Sequence, residues 1–207
     1  MPNDKLCEIA FLLDRSGSME SIRTDMVGGF NSFIAEQRKI PDPCVVSLYQ
    51  FDDKFDVVFQ EKPLADIGSL ELVPRGNTAL YDAMGKAITM MGERLAAKPD
   101  AERPGKIIFM TITDGQNNAS REWSVQMVKD KIKTQSEQYN WQFAFLGANI
   151  DSHAQAGDLG IKGAAVMDYV ATSAGVARAY NLASSGTSDY RRGGGQSLSF
   201  TPEQEKK

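Results

Sequence analysis

The sequence is poor in the side chains that most often bind transition metals. It has one histidine, His153, and two cysteines, Cys7 and Cys44, among 207 residues. The spacing of the cysteines fits no metal motif, and neither they nor the lone histidine offers the ligand set of a zinc site. Both cysteines lie in apolar stretches and are predicted to be buried free thiols. We interpret His153 as an ordinary surface or partly buried residue, not as a catalytic base.

The sequence also lacks a long apolar run and a basic cluster. No stretch approaches the ~18 apolar residues needed to cross a bilayer, so a membrane protein is not expected. The formal net charge is −4, and no basic group exceeds Arg191-Arg192 or Lys206-Lys207, so nucleic acid is not an expected partner. The first residues, MPNDKLCEIAFLLD, contain no small-residue cleavage site typical of a signal peptide. We therefore expect a cytoplasmic protein.

What the sequence does contain is a series of short apolar runs. Most are nearly continuous in apolar and β-favouring residues, which is typical of parallel strands covered on both faces. The five runs are CEIAFLL (7–13), CVVSLYQF (44–51), KIIFMTIT (106–113), WQFAFLG (141–147) and the weaker AAVMDYV (164–170). FDVVFQ (55–60) follows the second run after three residues, a gap that suits a hairpin. We expect this strand to be antiparallel and to lie at a sheet edge.

Helical patterns alternate with these strands. Apolar residues spaced by three and four predict one helix beginning near Met19 and another over 80–95, and weaker patterns indicate helices over 121–138 and 172–190. The alternation predicts an α/β fold with three layers, in which helices cover both faces of a mostly parallel sheet. The last residues, 193–207, are glycine-rich and polar, and we expect them to form a flexible tail.

The segment FLLDRSGSMES (11–21) changes abruptly from apolar to polar residues. Asp14, Ser16 and Ser18 occupy every second position, so in an extended chain their side chains lie on one side. A straight strand would spread them over roughly 13 Å, too far for a single cation, so the chain has to bend. Gly17 tolerates the backbone angles of such a bend. The segment therefore predicts a cup of oxygen atoms at the carboxyl end of the first strand.

Two other segments place oxygen atoms at the same edge of the predicted sheet. The run KIIFMTIT (106–113) is followed directly by Asp114, and VPRGNTALYDAM (73–84) places Thr78 just before a predicted helix. Ligands of open parallel sheets gather beyond the carboxyl ends of the strands. The three segments are therefore expected to converge.

Together DRSGSM, NTALYDAM and TDGQNN resemble the metal-ion-dependent adhesion site of von Willebrand factor type A domains. The resemblance implies a domain over residues 1–192 with a Rossmann-like fold, one antiparallel edge strand and a divalent ion above the sheet. It implies that the ion is reached by Asp14, Ser16, Ser18 and Thr78, and by Asp114 directly or through water. The chain resembles the compact stand-alone members of bacteria and phages, which act as adaptors or assembly factors more often than as surface adhesins.

The chemistry of the donor atoms agrees with the resemblance. Carboxylate and hydroxyl oxygens are hard ligands, so Mg²⁺ is the first choice and Mn²⁺ the alternative. Two carboxylates only neutralise a divalent ion, so a remaining coordination position can attract an anion. In the family that anion is typically an Asp or Glu carboxylate of a partner protein. The resemblance thus implies a metal-dependent protein-binding domain that is not an enzyme.

Three further residues are candidates for the rim of the site. Arg15 and Arg75 are placed to bind a visiting carboxylate, although solvated side chains are an equal alternative. Asn117 either contacts the partner or, with Asn118, caps the following helix, and capping is the favoured interpretation. All of these residues lie in or beside the segments that carry the predicted ligands.

The threonine loop departs from the family pattern at one position. Asn77 stands immediately before Thr78, where glycine is usual. Asparagine tolerates positive φ better than most residues, so the loop is expected to keep its shape. Asp82, one helical turn later, either orients the loop by hydrogen bonding or is an ordinary solvated helix residue.

The alternative function is a Mg²⁺-dependent phosphohydrolase with Asp14 as the nucleophile. Haloacid-dehalogenase-like phosphatases normally have a second aspartate two residues after the nucleophile, where this chain has Ser16. The glycine motifs of dinucleotide and phosphate-binding loops are also absent. The protein-binding domain is therefore preferred.

Overall fold

The computed structural model describes residues 1–200, which form one six-stranded sheet in the order β3-β2-β1-β4-β5-β6. The β2–β3 pair is antiparallel and all the other pairs are parallel. The strands are β1 (Asn3–Asp14), β2 (Cys44–Phe51), β3 (Phe55–Pro63), β4 (Pro104–Thr113), β5 (Gln142–Ala148) and β6 (Val166–Tyr169). The prediction of a mostly parallel sheet with an antiparallel edge strand is confirmed.

Helices cover both faces of this sheet. The α-helices of the described residues are α1 (Arg23–Gln37), α2 (Leu80–Ala96), α3 (Val125–Tyr139), α4 (Ser152–Asp158) and α5 (Ser173–Arg191). One hydrophobic cluster contains buried residues of α1 and α5, and a second contains buried residues of α2, α3 and α4. The predicted three-layer arrangement is therefore confirmed. No helix within residues 1–200 has the length and apolar character needed to cross a membrane.

Strand β1 lies between two parallel neighbours and is buried on both faces. Ile9, Phe11 and Leu13 belong to the cluster of α1 and α5, whereas Ala10 and Leu12 belong to the cluster of α2 and α3. Because successive side chains of a strand point to opposite faces, a strand covered on both sides is apolar at most of its positions, and in β1 the fully buried Glu8 is an exception. The abrupt change at the end of this run marks the point where the chain leaves the core.

Helix starts differ from the predictions in two places. The first helical segment begins as a 3-10 turn over Gly17–Ile22 and becomes α-helical at Arg23. Helix α3 begins at Val125, four residues later than predicted, because the Ser124 hydroxyl accepts a hydrogen bond from the Met127 N–H and caps the helix. Helix α4 was not predicted, since seven residues are too few to show a helical period.

The last described residues differ from the predicted flexible tail. Leu198 and Phe200 are 3% and 5% exposed and belong to the cluster of α1 and α5. The Leu198 N–H donates to Gln142 Oε1 at 3.0 Å, and the Phe200 N–H donates to the Ala164 carbonyl at 2.7 Å. Two apolar residues in a glycine-rich segment are too few to reveal this packing from composition. The rest of the predicted tail, 201–207, lies outside the described residues.

Candidate metal centre

Three loops meet beyond the carboxyl ends of β1 and β4, which are neighbours in the sheet. The first loop follows β1, the second precedes α2, and the third follows β4. They carry the predicted ligands Asp14, Ser16, Ser18, Thr78 and Asp114. The topology therefore brings together segments that are far apart in the sequence.

Ser18 connects the first and third loops. Its hydroxyl lies 3.1 Å from Ser16 Oγ and donates to Asp114 Oδ1 at 2.6 Å. In an octahedral shell of oxygens at about 2.1 Å, adjacent oxygens are about 3.0 Å apart. The spacing of the two serine hydroxyls is close to that value, so these two oxygens are compatible with neighbouring positions around a small hard cation.

Asp14 is fully buried and held from two sides. Its Oδ1 accepts the Ser16 N–H at 2.6 Å, and its Oδ2 accepts the Thr113 hydroxyl at 2.5 Å. Burial raises the pKa of Asp14 to about 6 despite these hydrogen bonds, and the charge of Asp114 adds to the increase. Each carboxylate oxygen has a second lone pair for a further ligand. The sequence reasoning gave no role to Thr113, whose only signal was its position as the last residue of the apolar run, directly before Asp114.

The two carboxylates of the site have no basic partner among residues 1–200. Burial also raises the pKa of Asp114, and the hydrogen bond from Ser18 only partly offsets this effect. Within residues 1–200, neither Asp14 nor Asp114 forms an ion pair with a basic side chain. Buried charges without a partner are costly, so a cation from outside would stabilise this cluster.

Thr78 is fastened to the third loop. Its N–H donates to Asn118 Oδ1 at 2.9 Å, and the Asn118 N–H donates to the Thr78 carbonyl at 3.0 Å. Gly115 leaves room for the threonine side chain, because an added Cβ would lie only 3.0 Å from Thr78 Oγ1. The Thr78 hydroxyl thus lies beside the residue that follows Asp114.

The threonine loop keeps its shape by other means than those expected at Asn77. Gly76 has a φ of +68°, whereas Asn77 is not among the described residues with positive φ. A side chain at Gly76 would also meet Asp53 Oδ1 at 2.2 Å.

Asp82 is 9% exposed and orients the third loop. Its carboxylate accepts the backbone N–H groups of Arg121, Glu122 and Trp123.

The two rim arginines bind carboxylates of the chain itself. Arg15 is 8% exposed, and its Nε and Nη2 donate to Asp52 at 2.9 Å and Asp56 at 2.5 Å. Arg75 is half-exposed and donates from Nε to the same Asp52 oxygen at 2.8 Å. Arg15 therefore differs from both interpretations of the sequence, since it is neither solvated nor free of internal partners. A rim role for Arg75 stays a prediction.

Asn117 and Asn118 do not cap the following helix, so that interpretation was wrong. Helix α3 begins later and is capped by Ser124. Asn117 Oδ1 accepts the Ser120 hydroxyl at 2.5 Å and the Tyr81 N–H at 3.4 Å. Both asparagines thus fasten the third loop to the start of α2. A rim role for Asn117 stays a prediction.

Of the nitrogen and sulphur side chains considered in the sequence, Cys7 and Cys44 lie near the starts of β1 and β2, at the opposite edge of the sheet, and His153 follows β5. His153 lies in α4, and its Nε2 is 3.9 Å from Asp168. In the part of the chain that is described, no group of three or more His, Cys, Asp or Glu side chains is placed to hold a metal. A metal at the candidate site would therefore need serine and threonine hydroxyls in addition to its two carboxylates.

No family model and no curated protein sequence matches the chain. Solved structures do match. Proximal thread matrix protein 1 from the mussel byssus, with a zinc-occupied MIDAS motif, has a TM-score of 0.61 at 17% identity over 86% of this chain. A von Willebrand factor type A protein from Catenulispora acidiphila has a TM-score of 0.59 at 16% identity over 90%. The pilus adhesin SpaC from Lactobacillus rhamnosus GG, in an open conformation, has a TM-score of 0.65 at 12% identity over 89%.

The alignments cover 45%, 43% and 30% of those three proteins, so the chain spans less than half of each. The similarity shows that the chain has the fold of von Willebrand factor type A domains. The resemblance found in the sequence is thereby confirmed at the level of the fold.

Proposed function

We propose that the chain is a metal-dependent protein-binding domain that acts as an adaptor or assembly factor. A bound Mg²⁺, or alternatively Mn²⁺, would coordinate an acidic residue of a partner protein. The proposed ligands are Asp14, Ser16, Ser18, Thr78 and Asp114. The observation that carries the proposal is the pair formed by the fully buried Asp14 and the partly buried Asp114, which lacks an ion-pair partner in residues 1–200 and lies beside two serine hydroxyls.

Similar proteins support a divalent metal in this fold. The mussel byssus protein has a zinc-occupied MIDAS motif, and SpaC is a pilus adhesin. For this chain the choice of Mg²⁺ rests on the donor atoms, because hydroxyl and carboxylate oxygens favour hard cations. A partner carboxylate is supported by charge, since two aspartates only neutralise a divalent ion. The cytoplasmic location stays a prediction.

The phosphohydrolase alternative gains no support from the geometry. A nucleophilic carboxylate has to contact the phosphorus atom of its substrate. Asp14 is fully buried, and both of its oxygens already accept hydrogen bonds from the surrounding protein. A single small cation needs less space beside Asp14 than a phosphate group does. The site is therefore proposed to bind and not to catalyse.

Calorimetry with Mg²⁺ and Mn²⁺ tests the metal site. The wild type is expected to bind one ion per chain, and Asp14→Ala combined with Asp114→Ala is expected to lose at least about 100-fold in affinity. A matched control, Asp4→Ala with Asp66→Ala, removes the same charge from exposed positions and should bind normally. Undiminished binding by the first double variant would contradict the proposal.

A second experiment tests the role of the partner. Proteins captured from the native host by the Mg²⁺-loaded wild type should be released by EDTA. They should not be captured by the variant that lacks Asp14 and Asp114. Substitution of single acidic residues of a captured protein by their amides should then identify one whose loss abolishes binding. Capture that persists in EDTA would contradict a metal-bridged contact.

A further inference from the structure

The carboxyl end of β2 carries a third buried carboxylate, which is not among the proposed metal ligands. Asp52 directly follows the last residue of β2 and is fully buried. Its Oδ2 accepts hydrogen bonds from Arg15 Nε at 2.9 Å and from Arg75 Nε at 2.8 Å. Its Oδ1 accepts the Lys54 N–H at 2.6 Å. One carboxylate therefore holds two guanidinium groups from separate segments of the chain.

These two arginines belong to the loops that carry the proposed hydroxyl ligands. Arg15 lies inside the segment 14–18, which contains both serines, and Arg75 lies three residues before Thr78. By binding both guanidinium groups, Asp52 connects the serine loop to the threonine loop. This connection lies on the β2 side of β1. Asn118, which ties Thr78 to the loop after β4, lies on the other side of β1.

Backbone hydrogen bonds follow the same path. The Arg15 N–H donates to the Phe51 carbonyl at 2.7 Å, and the Arg75 N–H donates to the Arg15 carbonyl at 2.7 Å. The Ala79 N–H, one residue after the threonine, donates to the Asp52 carbonyl at 2.9 Å. The main chain and the side chain of Asp52 thus both hold the threonine loop. The two loops have little freedom to separate while these bonds persist.

The charge state of Asp52 agrees with this arrangement. Burial acts to raise the pKa of Asp52, but hydrogen bonds from Arg75 and from the Lys54 N–H, together with the Arg15 charge, outweigh it and lower the pKa. The carboxylate is therefore ionised at neutral pH. Removal of either arginine would leave a buried charge with fewer partners, which is costly. The clamp is stable because each arm compensates the buried charge of Asp52.

We propose that Asp52 is a positioning residue of the metal centre. It clamps the serine loop to the threonine loop, so that the hydroxyls of Ser16, Ser18 and Thr78 face one point. This inference rests on the proposed metal site, because the hydroxyls are brought together for a common ligand. Without the clamp, Thr78 would stay tied to Asn118 but would no longer be held against the serines. The loss should therefore fall mainly on the contribution of Thr78.

Mn²⁺ binding, measured by electron paramagnetic resonance and calorimetry, tests the clamp. Asp52→Asn keeps the shape of the side chain but removes its charge, and should weaken Mn²⁺ binding about 10-fold, as expected for residues that orient metal ligands. Asp56→Asn is the matched control. Asp56 contacts the same two arginines, but it is half-exposed, so its loss should change the affinity less than about twofold.

The same substitution, made in a variant that lacks the Thr78 hydroxyl, distinguishes a positioning role of Asp52 from general structural support. In Thr78→Val, which lacks the hydroxyl, Asp52→Asn should weaken Mn²⁺ binding by less than about twofold further, because the two positions act together. A merely structural role would lower the affinity equally in both backgrounds. If Asp52→Asn fails to fold, Arg75→Gln removes one half-exposed arm of the clamp and replaces it in the same comparison.

The outcomes distinguish this inference from the proposed function. If the wild type does not bind Mn²⁺, both proposals fail. If the wild type binds and Asp52→Asn matches the Asp56→Asn control, the clamp is overturned while the metal site stands. The clamp is also overturned if Asp52→Asn causes the same loss with and without the Thr78 hydroxyl. A 10-fold loss that disappears in Thr78→Val supports it.

Discussion

The aspartates at the ends of neighbouring strands are neutralised in different ways. Asp52, after β2, binds two guanidinium groups, and its pKa lies below the usual value. Asp14 and Asp114, at the ends of β1 and β4, have raised pKa values, and that of Asp14 reaches about 6. These last two form no ion pair within residues 1–200. The protein itself thus neutralises the charge of Asp52, whereas Asp14 and Asp114 have no basic partner in the described residues.

The difference does not come from a shortage of basic residues nearby. Arg15 directly follows Asp14 in the sequence, yet its side chain binds Asp52 and Asp56. The fold therefore directs the nearest positive charges to β2. Within residues 1–200, the carboxylates of β1 and β4 accept hydrogen bonds from hydroxyl and backbone N–H groups but have no basic partner. We interpret the carboxylate with arginine partners as structural, and the two without them as available to the proposed cation. The local pairing, and not the residue type, separates the two roles.

Removal of Arg15 should produce the largest effect, because it takes away one of the two arginines that neutralise Asp52. Arg15→Met leaves the buried Asp52 with Arg75 alone and should lower the free energy of unfolding by about 3 kcal/mol. Urea unfolding at about pH 7.5 with EDTA measures this. Arg178→Met removes an exposed arginine of α5 and should change stability by less than about 0.5 kcal/mol. A loss at Arg15 no larger than this control would mean that Asp52 does not depend on it.

Asp14→Asn should have a smaller effect of opposite sign. The buried carboxylate is unfavourable when ionised, as its raised pKa indicates, so its neutral isostere should stabilise the metal-free protein. We expect a gain of about 1 to 2 kcal/mol at about pH 7.5 in EDTA, from the value of one pKa unit. Mn²⁺ should then stabilise the wild type but not the variant. Lower stability of Asp14→Asn in EDTA would show that Asp14 is already satisfied, as Asp52 is.

The sequence predicts the candidate ligands because their signals are local. Alternation over 14–18 and an aspartate at the end of a buried strand can both be read from short segments. The partners of Arg15 and Arg75 could not be read in this way. They bind Asp52, which lies 37 and 23 residues away in the sequence. Long side chains have many accessible directions, and only the packed fold selects one of them.

The fold itself was predictable where burial leaves a periodic pattern. Strands covered on both faces are continuously apolar, and long helices repeat every three to four residues. The start of α3 was misplaced because Asn117, Asn118 and Ser124 are all residue types that cap helices. The segment before α3 is shaped by Asp82 of another helix, whose carboxylate accepts three backbone N–H groups. A contact between residues 39 to 41 positions apart produces no pattern in the neighbouring sequence.

The dependence of stability on pH should give the smallest effect. It tests Asp14 and Asp114, whose pKa values are raised, together with Asp52, whose pKa is lowered. Asp14, Asp114 and the buried Glu8 have raised pKa values in the fold. Between about pH 7.5 and 5 the folded chain therefore binds more protons than the unfolded chain, and the metal-free protein should gain about 1 kcal/mol as the pH falls. Below about pH 4 the sign reverses, because Asp52 and Glu61 have lowered pKa values and lose their ion pairs on protonation.

Urea unfolding in EDTA at several pH values measures this curve, and Asp14→Asn should flatten it between about pH 7.5 and 5. Asp56→Asn should leave it unchanged, since that half-exposed carboxylate lies outside the pair formed by Asp14 and Asp114. A stability that falls steadily from about pH 7.5 to 5 would mean that Asp14 and Asp114 are stabilised as anions within the fold. In that case they would resemble Asp52, and the electrostatic reason for an external cation would be lost.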